Sequence, residues 1–451
     1  MRSNRKEHIV VHWQPHAEEI GAVMLMQKYG EEVFPGASQA KVIWLLEPEK
    51  SDVYTLDNSY FVGTVRKGGL DEHGREEKSA FEIIAKKLSL TGHPVWGRFM
   101  DYVNKADTAD ARGGNSRGGF LNIYSMIKSV YWQNPTSSED GYQWCRQALE
   151  AVESIGENYF KAADGFFKEG RFFELICSMW AAQKFSRKRP RLFDVYGDFF
   201  PRDGRSDLRF ADVLKQVKRS RDAILSCDPR GKGLGRFVSD ACRADLTPWS
   251  LPRMAYAICG KRGGGRNAVL AAYRWAKVAL DAFYARQNDF RQALKKIRSG
   301  DGIVTKEMEV WPGQRKTVVF VENNQHRSTL AACRYHFRER FGLLVQTSQQ
   351  TGTQIFANAV LGNPLKNIVS LIRTEEGRLL GKANGYSLPE LMGEGNTCGQ
   401  DHIYYITQSK DGVGSNMILN RSETKPSLQL MKIGWSDLRE LVEEGLVANC
   451  R

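Results

Sequence analysis

Long hydrophobic runs are missing from this chain of 451 residues. None approaches the roughly 20 apolar residues that a membrane-spanning helix requires, so no contact with a membrane is expected. The basic start, Met1-Arg2-Ser3-Asn4-Arg5-Lys6, is followed by no apolar signal region. Paired cysteines are missing as well. The eight cysteines are scattered with no C-x-x-C spacing, which argues against a zinc ribbon or a disulfide framework and fits a reducing cytosol. The chain also has no internal repeat and no low-complexity tract. Acidic residues are in deficit, 52 against 65 Lys and Arg, for a net charge of +13. Such an excess favours a polyanionic partner, nucleic acid before membrane, against the plain reading of a solvated basic surface.

What is present is enough apolar and aromatic residue, 41% and 11%, to bury real cores. At 451 residues the chain is expected to form two to four domains, at roughly 100–200 residues each. Residues 8 to about 110 alternate short apolar runs with helical patterns. "HIVVH", "AKVIWLL" and "SDVYTLDN" read as strands, and "AEEIGAVMLMQKYG" and "SAFEIIAKKL" as helices. That alternation suggests βαβ units and a mostly parallel sheet. "ARGGNSRGGF" is a basic, glycine-rich loop or linker. From 121 to 300 the pattern is almost entirely helical. After Pro312, "RKTVVFVEN" and "FGLLVQTSQQTGTQIFAN" restore strands, and "WSDLRELVEEGL" ends the chain as a helix with an N-cap signature at Ser436. The fold class expected is α/β, with a parallel-sheet N-terminal domain, a helical middle region and a smaller C-terminal α/β domain.

The chemistry concentrates in "HWQPHAEEIGA", residues 12–22, directly after the apolar Ile9-Val10-Val11. Open α/β sheets keep their ligands beyond the carboxyl ends of strands. His12, His16 and Glu18 fall where a loop leaving a strand would converge them. Asp57 ends "VYTLD", Asp71 opens "DEH", and Asp107 follows the helix-like "PVWGRFMDYVNKA". Imidazole and carboxylate together suit a transition metal such as Mn²⁺ better than an all-oxygen calcium cage. Two such ions would activate a water and stabilise the leaving oxygen of a phosphoryl transfer. The plain alternative is a solvent-exposed polar strand end.

This spacing resembles the DHH phosphoesterase superfamily, whose first motif runs His-x-x-Pro-Asp-x-Asp before small residues that open a helix. Here the stretch is His12-Trp13-Gln14-Pro15-His16-Ala17-Glu18, then Gly21-Ala22. Asp71-Glu72-His73 is similar to the naming motif, fourteen positions after Asp57, and Asp107 to the fourth-motif aspartate. The branch related to the melanocyte proliferating gene product, a family of 3′–5′ exoribonucleases, is nearer. It also places a histidine at the first-motif aspartate, with one more residue in its loop. "NPTSSEDGYQWCRQALEAVESIGENYF" is similar to its Asn-Pro-Thr segment and following helix. Glu18 and Glu72 depart from the pattern, and the glycine-glycine-histidine motif of the other major C-terminal domain is absent.

The resemblance implies a DHH-like domain over 1–115, connecting helices over 116–165, a basic helical insertion and linker helices over 166–300, and a C-terminal α/β substrate-binding domain over 301–451. It implies metal-dependent phosphodiester hydrolysis in a cleft between lobes, from the 3′ end of RNA or short oligonucleotides. His12, His16, Glu18, Asp57, Glu72 and Asp107 would ligate two Mn²⁺ ions, or Mg²⁺, with Asp57 bridging. His73 would contact the scissile phosphate and Asp71 orient its neighbours. In the C-terminal domain His402, Ser415 and Asn416 are candidate substrate contacts. Arg187, Lys188, Arg189 and Arg191 would extend the path of single-stranded RNA, the competing use of 165–262 being a partner or dimer surface. The alternative function is a DHH-like nucleic-acid or nucleotide-binding protein whose turnover the Glu18 and Glu72 changes have removed.

Overall fold

The structure is a computed structural model. It describes residues 5–46, 48, 51–64, 66–71, 76–111, 122–161, 248–263, 265–349, 352–358, 363–382, 385–396, 398, 400, 403–406, 415–420 and 430–450, with 172–173, 176–177, 179–180 and 183–184. The chain is α/β. Leaving aside residues 111–114, it divides into two compact units, one before Ala285 and one from Ala285 onward.

In the first unit, β1 (His8–His12) lies between β2 (Lys41–Leu45) and β3 (Ser59–Val62), parallel to both. A central parallel strand is covered on both faces, which is why Ile9, Val10 and Val11 are all apolar and fully buried. α1 (Ala17–Tyr29) follows β1 and is buried on every side from Ala17 to Met26. Gly21 makes that possible: a Cβ there would meet the Phe99 ring at 2.7 Å and the Phe81 ring at 3.0 Å. Those rings come from α2 (Ala80–Lys87) and α3 (Trp96–Ala111).

The helical stretch follows as α4 (Ile123–Gln133), α5 (Glu139–Ile155), α6 (Asn158–Lys161), α7 (Leu251–Lys261) and the first part of α8 (Gly265–Ser299). α5 and α8 meet through Trp144 and Trp275, whose rings stack at 4.8 Å and 2°. Each indole N–H donates to the other residue's carbonyl, at 3.0 and 2.8 Å.

The second unit is a seven-stranded mixed sheet made of β4 (Ile303–Trp311), β5 (Gln314–Val321), β6 (Phe341–Ser348), β7 (Gly352–Asn358), β8 (Gly395–Asn396), β9 (Tyr404–Ile406) and β10 (Ser415–Leu419). Its order is β4-β5-β6-β7-β10-β9-β8. Only β5 and β6 are parallel, and α9 (Thr329–Phe337) connects them. Period-two alternation sends Val318 and Phe320 to one face, under α10 (Leu365–Leu379) and α12 (Trp435–Asn449). Val319 and Val321 go to the other, under α9 and the end of α8. A short α11 (Leu388–Leu391) precedes β8.

Several expectations change. "SDVYTLDN" is not a strand. Its turn residues close on themselves, with Asn58 Oδ1 accepting from Thr55 N at 2.9 Å and Ser59 N donating to Thr55 O at 2.9 Å, and β3 begins only at Ser59. α12 is capped by Gly434, one residue before the helix starts, so Ser436 lies inside it. The division between units falls at Tyr284/Ala285 within α8 and not near residue 300. Among the described residues Cys145, Cys259, Cys333 and Cys450 are free thiols, and no helix is long and apolar enough to cross a membrane.

Candidate metal centre

The site forms where β1 hands over to α1. His12 is the last residue of β1 and His16 is the N-cap of α1. The three residues between them make a tight turn with Gln14 in the left-handed region (φ 59°). The segment Pro135–Ser138 anchors this turn: Gln14 N donates to Ser138 Oγ at 3.0 Å, and Gln14 Nε2 to Pro135 O at 2.9 Å. Behind it, the buried Tyr131 hydroxyl donates to Pro15 O at 2.9 Å. The "NPTSS" stretch is thus packed against the "HWQPH" stretch.

The carboxylate that joins the histidines is Glu19, not Glu18. With His16 at the N-cap, Glu19 occupies the third helical position, where an acidic side chain bends back to the cap. Its Oε2 accepts the His16 backbone N–H at 2.7 Å, and its Oε1 lies 3.0 Å from His12 Nε2. Glu18 is also buried, but it is rotated about 100° round the helix from Glu19 and lies outside this group. Ligand atoms of His12, His16 and Glu19 all fall within 4.8 Å of one another. The two imidazoles sit edge to face at 5.2 Å, and His16 leans on the Tyr124 ring at 5.7 Å.

Space for Glu19 comes from β3. Gly63 follows that strand at φ +60°, and a Cβ there would lie 2.5 Å from Glu19 Cγ. Beyond it the chain returns so that Leu70 bridges Val62, which places the buried Asp71 at the same carboxyl end of the sheet.

Electrostatics define what the group accepts. Burial pushes the Glu19 carboxyl up, but the positive charge of His12 and His16, with the hydrogen bond to His12, outweighs it and holds the group well below the usual carboxylate range. His12 Nδ1 lies 2.8 Å from the Trp13 carbonyl, which only accepts, so this nitrogen carries a proton. Nε2 then faces a second acceptor, the Glu19 carboxylate. Positive charge is required between them, as a second proton or as a cation. Two imidazoles and one carboxylate form a donor set that fits a divalent transition metal with open positions for water.

Other expected site residues fall elsewhere. Asp57 is exposed in the turn before β3. β1 and β3 run parallel with His8 opposite Ser59, so Asp57 stands at the amino end of the sheet. The length of β1, about 13 Å at 3.3 Å per residue, separates it from His12. It cannot bridge ions at this centre, and its charge acts instead on Lys6. Asp107 lies within α3 and not after a helix, and its side chain falls outside the described residues. So do Glu72, His73, Arg187, Lys188, Arg189, Arg191 and His402. Ser415 opens β10, its side chain again outside the description. Asn416 is in β10 opposite Ala357, only 3% exposed. It is a buried strand residue and not an accessible loop contact.

Glu19 was missed although the sequence carries a signal for it: an acid three positions after a candidate N-cap. Set against family models, curated proteins and solved structures, the chain matches none.

Proposed function

We propose that this protein is a metal-dependent phosphodiesterase acting on RNA or short oligonucleotides, with a DHH-like catalytic domain and Mn²⁺ as its first-choice ion. The observation that carries the reading is His12, held between two acceptor oxygens beside His16 and the buried Glu19. That arrangement sits at the carboxyl end of a parallel strand, where such sheets place their sites. The +13 net charge supports a polyanionic substrate, and the DHH-like spacing of the first motif supports the reaction class and attack from the 3′ end.

In this mechanism a bound divalent ion supplies the charge that acidifies a water and stabilises the leaving oxygen. The protein does the rest. The Trp13 carbonyl fixes the His12 tautomer so that Nε2 faces the site. Glu19 contributes a permanent negative charge, and its bond to His16 N holds the second imidazole at the mouth of α1. Asp71 would orient neighbouring groups from the carboxyl end of the sheet. Among the described residues His12, His16 and Glu19 support a single ion, and Asp57 is too far away to bridge a second one there.

The test pairs metal analysis with hydrolysis of end-labelled RNA. The parent should bind Mn²⁺ and shorten RNA from its 3′ end, and His16→Ala should lose both. Asp57→Asn should retain both, in contrast to a two-ion site bridged there. Metal binding without turnover would replace this reading by that of a nucleic-acid-binding protein. A parent that binds no divalent ion would end both metal readings.

A further inference from the structure

A basic surface lies far along the chain from the histidine centre. On one face of the seven-stranded sheet, the end of α8 and all of α9 bury Ala293, Ile297, Ala332 and Cys333 against Val319, Val321 and Leu344. Three contacts tie α8 to α9 and the turn before it: the Phe290 and Tyr335 rings meet edge to face at 5.7 Å, His326 Nδ1 lies 3.0 Å from Asp289, and Ser328 N donates to Asp289 at 2.8 Å. Their inner faces are therefore committed to the core and their outer faces to solvent.

Those outer faces are strongly charged. Residues 285–299 and 327–340 carry nine Lys or Arg against two acids, Asp289 and Glu339. Arg291, Lys295 and Arg298 recur at i, i+4 and i+7, which is one stripe of α8, and all three are exposed. Arg338 and Arg340 stand exposed at the end of α9. Among the described residues none of these five has an ion-pair partner, while Asp289, the one acid on this part of α8, is occupied by His326 and by Ser328 N. Within the same layer Tyr335 is 57% exposed although it is a large aromatic, braced on one edge by Phe290.

We infer that this α8/α9 face binds single-stranded nucleic acid, with Arg291, Lys295, Arg298, Arg338 and Arg340 on phosphates and Tyr335 stacking on a base. Unpaired cations alone would suit any polyanion. An exposed ring among them suits bases, because every base offers a π face. An acidic protein would engage the cations without needing a flat ring face among them. The inference rests on the polyanion part of the proposed function, not on its metal chemistry.

The experiment uses the full chain, fluorescein-labelled oligo(U) RNA and EDTA, with anisotropy read across salt concentrations. Five phosphate contacts at about 0.7 each give a slope of log K on log salt of about −3.5. Arg291→Ser/Lys295→Ser/Arg298→Ser should weaken binding at least tenfold and reduce that slope by about 2. Tyr335→Ala should weaken it by about tenfold, with Tyr335→Phe close to the parent. Arg338→Ser/Arg340→Ser gives an independent reading on another element should the triple variant melt early. Parent-like affinity and slope in both charge variants overturn the inference. So does binding that polyglutamate displaces equally well and that Tyr335→Ala leaves unchanged, which would mark an acidic-protein surface. Failure of the proposed function looks different: RNA binding with these signatures, but no metal-dependent hydrolysis. The charge variants should still hydrolyse a dinucleotide at the parental rate if that function holds.

Discussion

Glu19→Gln probes the candidate centre where it is most enclosed. The Glu19 side chain is 5% exposed and makes two bonds, to His16 N and to His12 Nε2. Glutamine keeps the shape and one acceptor oxygen, so the cap bond to His16 N survives and the charge is lost. The cost to the metal-free fold is that of one charge-assisted hydrogen bond, about 1.5–3 kcal/mol. The effect on a cation is separable. An ion with a Kd of about 1 μM, present at about 100 μM, stabilises the folded state by about 2.7 kcal/mol. If loss of the carboxylate weakens binding about 100-fold, only RT ln 2, about 0.4 kcal/mol, is left. At about 2 °C per kcal/mol, the Mn²⁺-induced rise in Tm should fall from about 5 °C to less than about 1 °C. Thermal melts in Mn²⁺ and in EDTA measure both quantities, with Glu18→Gln as the neighbouring control. Equal metal-induced shifts in the parent and Glu19→Gln, or a loss confined to Glu18→Gln, would refute the assignment.

Gly63→Ala should act on the same carboxylate indirectly. The left-handed backbone costs about 1–2 kcal/mol for alanine, and the new Cβ, 2.5 Å from Glu19 Cγ, must displace that side chain, so the Mn²⁺-induced Tm rise should shrink; an undiminished rise would show that Glu19 is not a ligand. Asp281 is the pH-dependent case. Partial burial raises its carboxyl, but bonds from Lys184, Lys277 and Trp180 outweigh this and depress it. A depressed carboxyl stabilises above its unfolded pKa, about 3.9, and that contribution is lost as pH falls through the lower folded value. Asp281→Asn should therefore cost about 1–2 kcal/mol at pH 7, and denaturant melts of parent and variant should converge below about pH 4. A constant difference down to pH 2 would contradict the depressed carboxyl.

Legibility in the sequence followed how far each pattern was fixed by local physics. "HIVVH" announces β1 because a strand covered on both faces needs consecutive apolar residues, and the run is short and β-branched, unlike the longer apolar run of the buried α1. The two histidines were legible for the opposite reason, as groups a core would reject. Choosing Glu18 over Glu19 was a question of helix phase. It is decided by which residue caps α1, and the His16 cap with an acid three positions on was the clue. Asp57 failed because alternation in "VYTLD" was weighed above the turn chemistry of Asp57-Asn58-Ser59. Pro312 was taken as a boundary, yet Pro312-Gly313 turns a hairpin, and β4 before it is an edge strand whose Lys306, Glu307 and Glu309 mask its alternation. Asn416 misled in another way: it shares the covered face of β10 with Ile418, so a polar residue that reads as a loop contact is buried in the strand.

The paired indoles of Trp144 and Trp275 bear on how the first unit can move. Helices commonly slide along one another in small shear steps, or ratchet by a full turn of about 5.4 Å. Here each ring is bonded to the carbonyl of the residue that carries the other, so translation of α5 along α8 breaks both bonds together. A one-turn slip would leave two indole donors unpaired in a dry interior, at about 1–3 kcal/mol each, and would unstack the rings as well. That junction behaves as a lock on the register between α5 and α8.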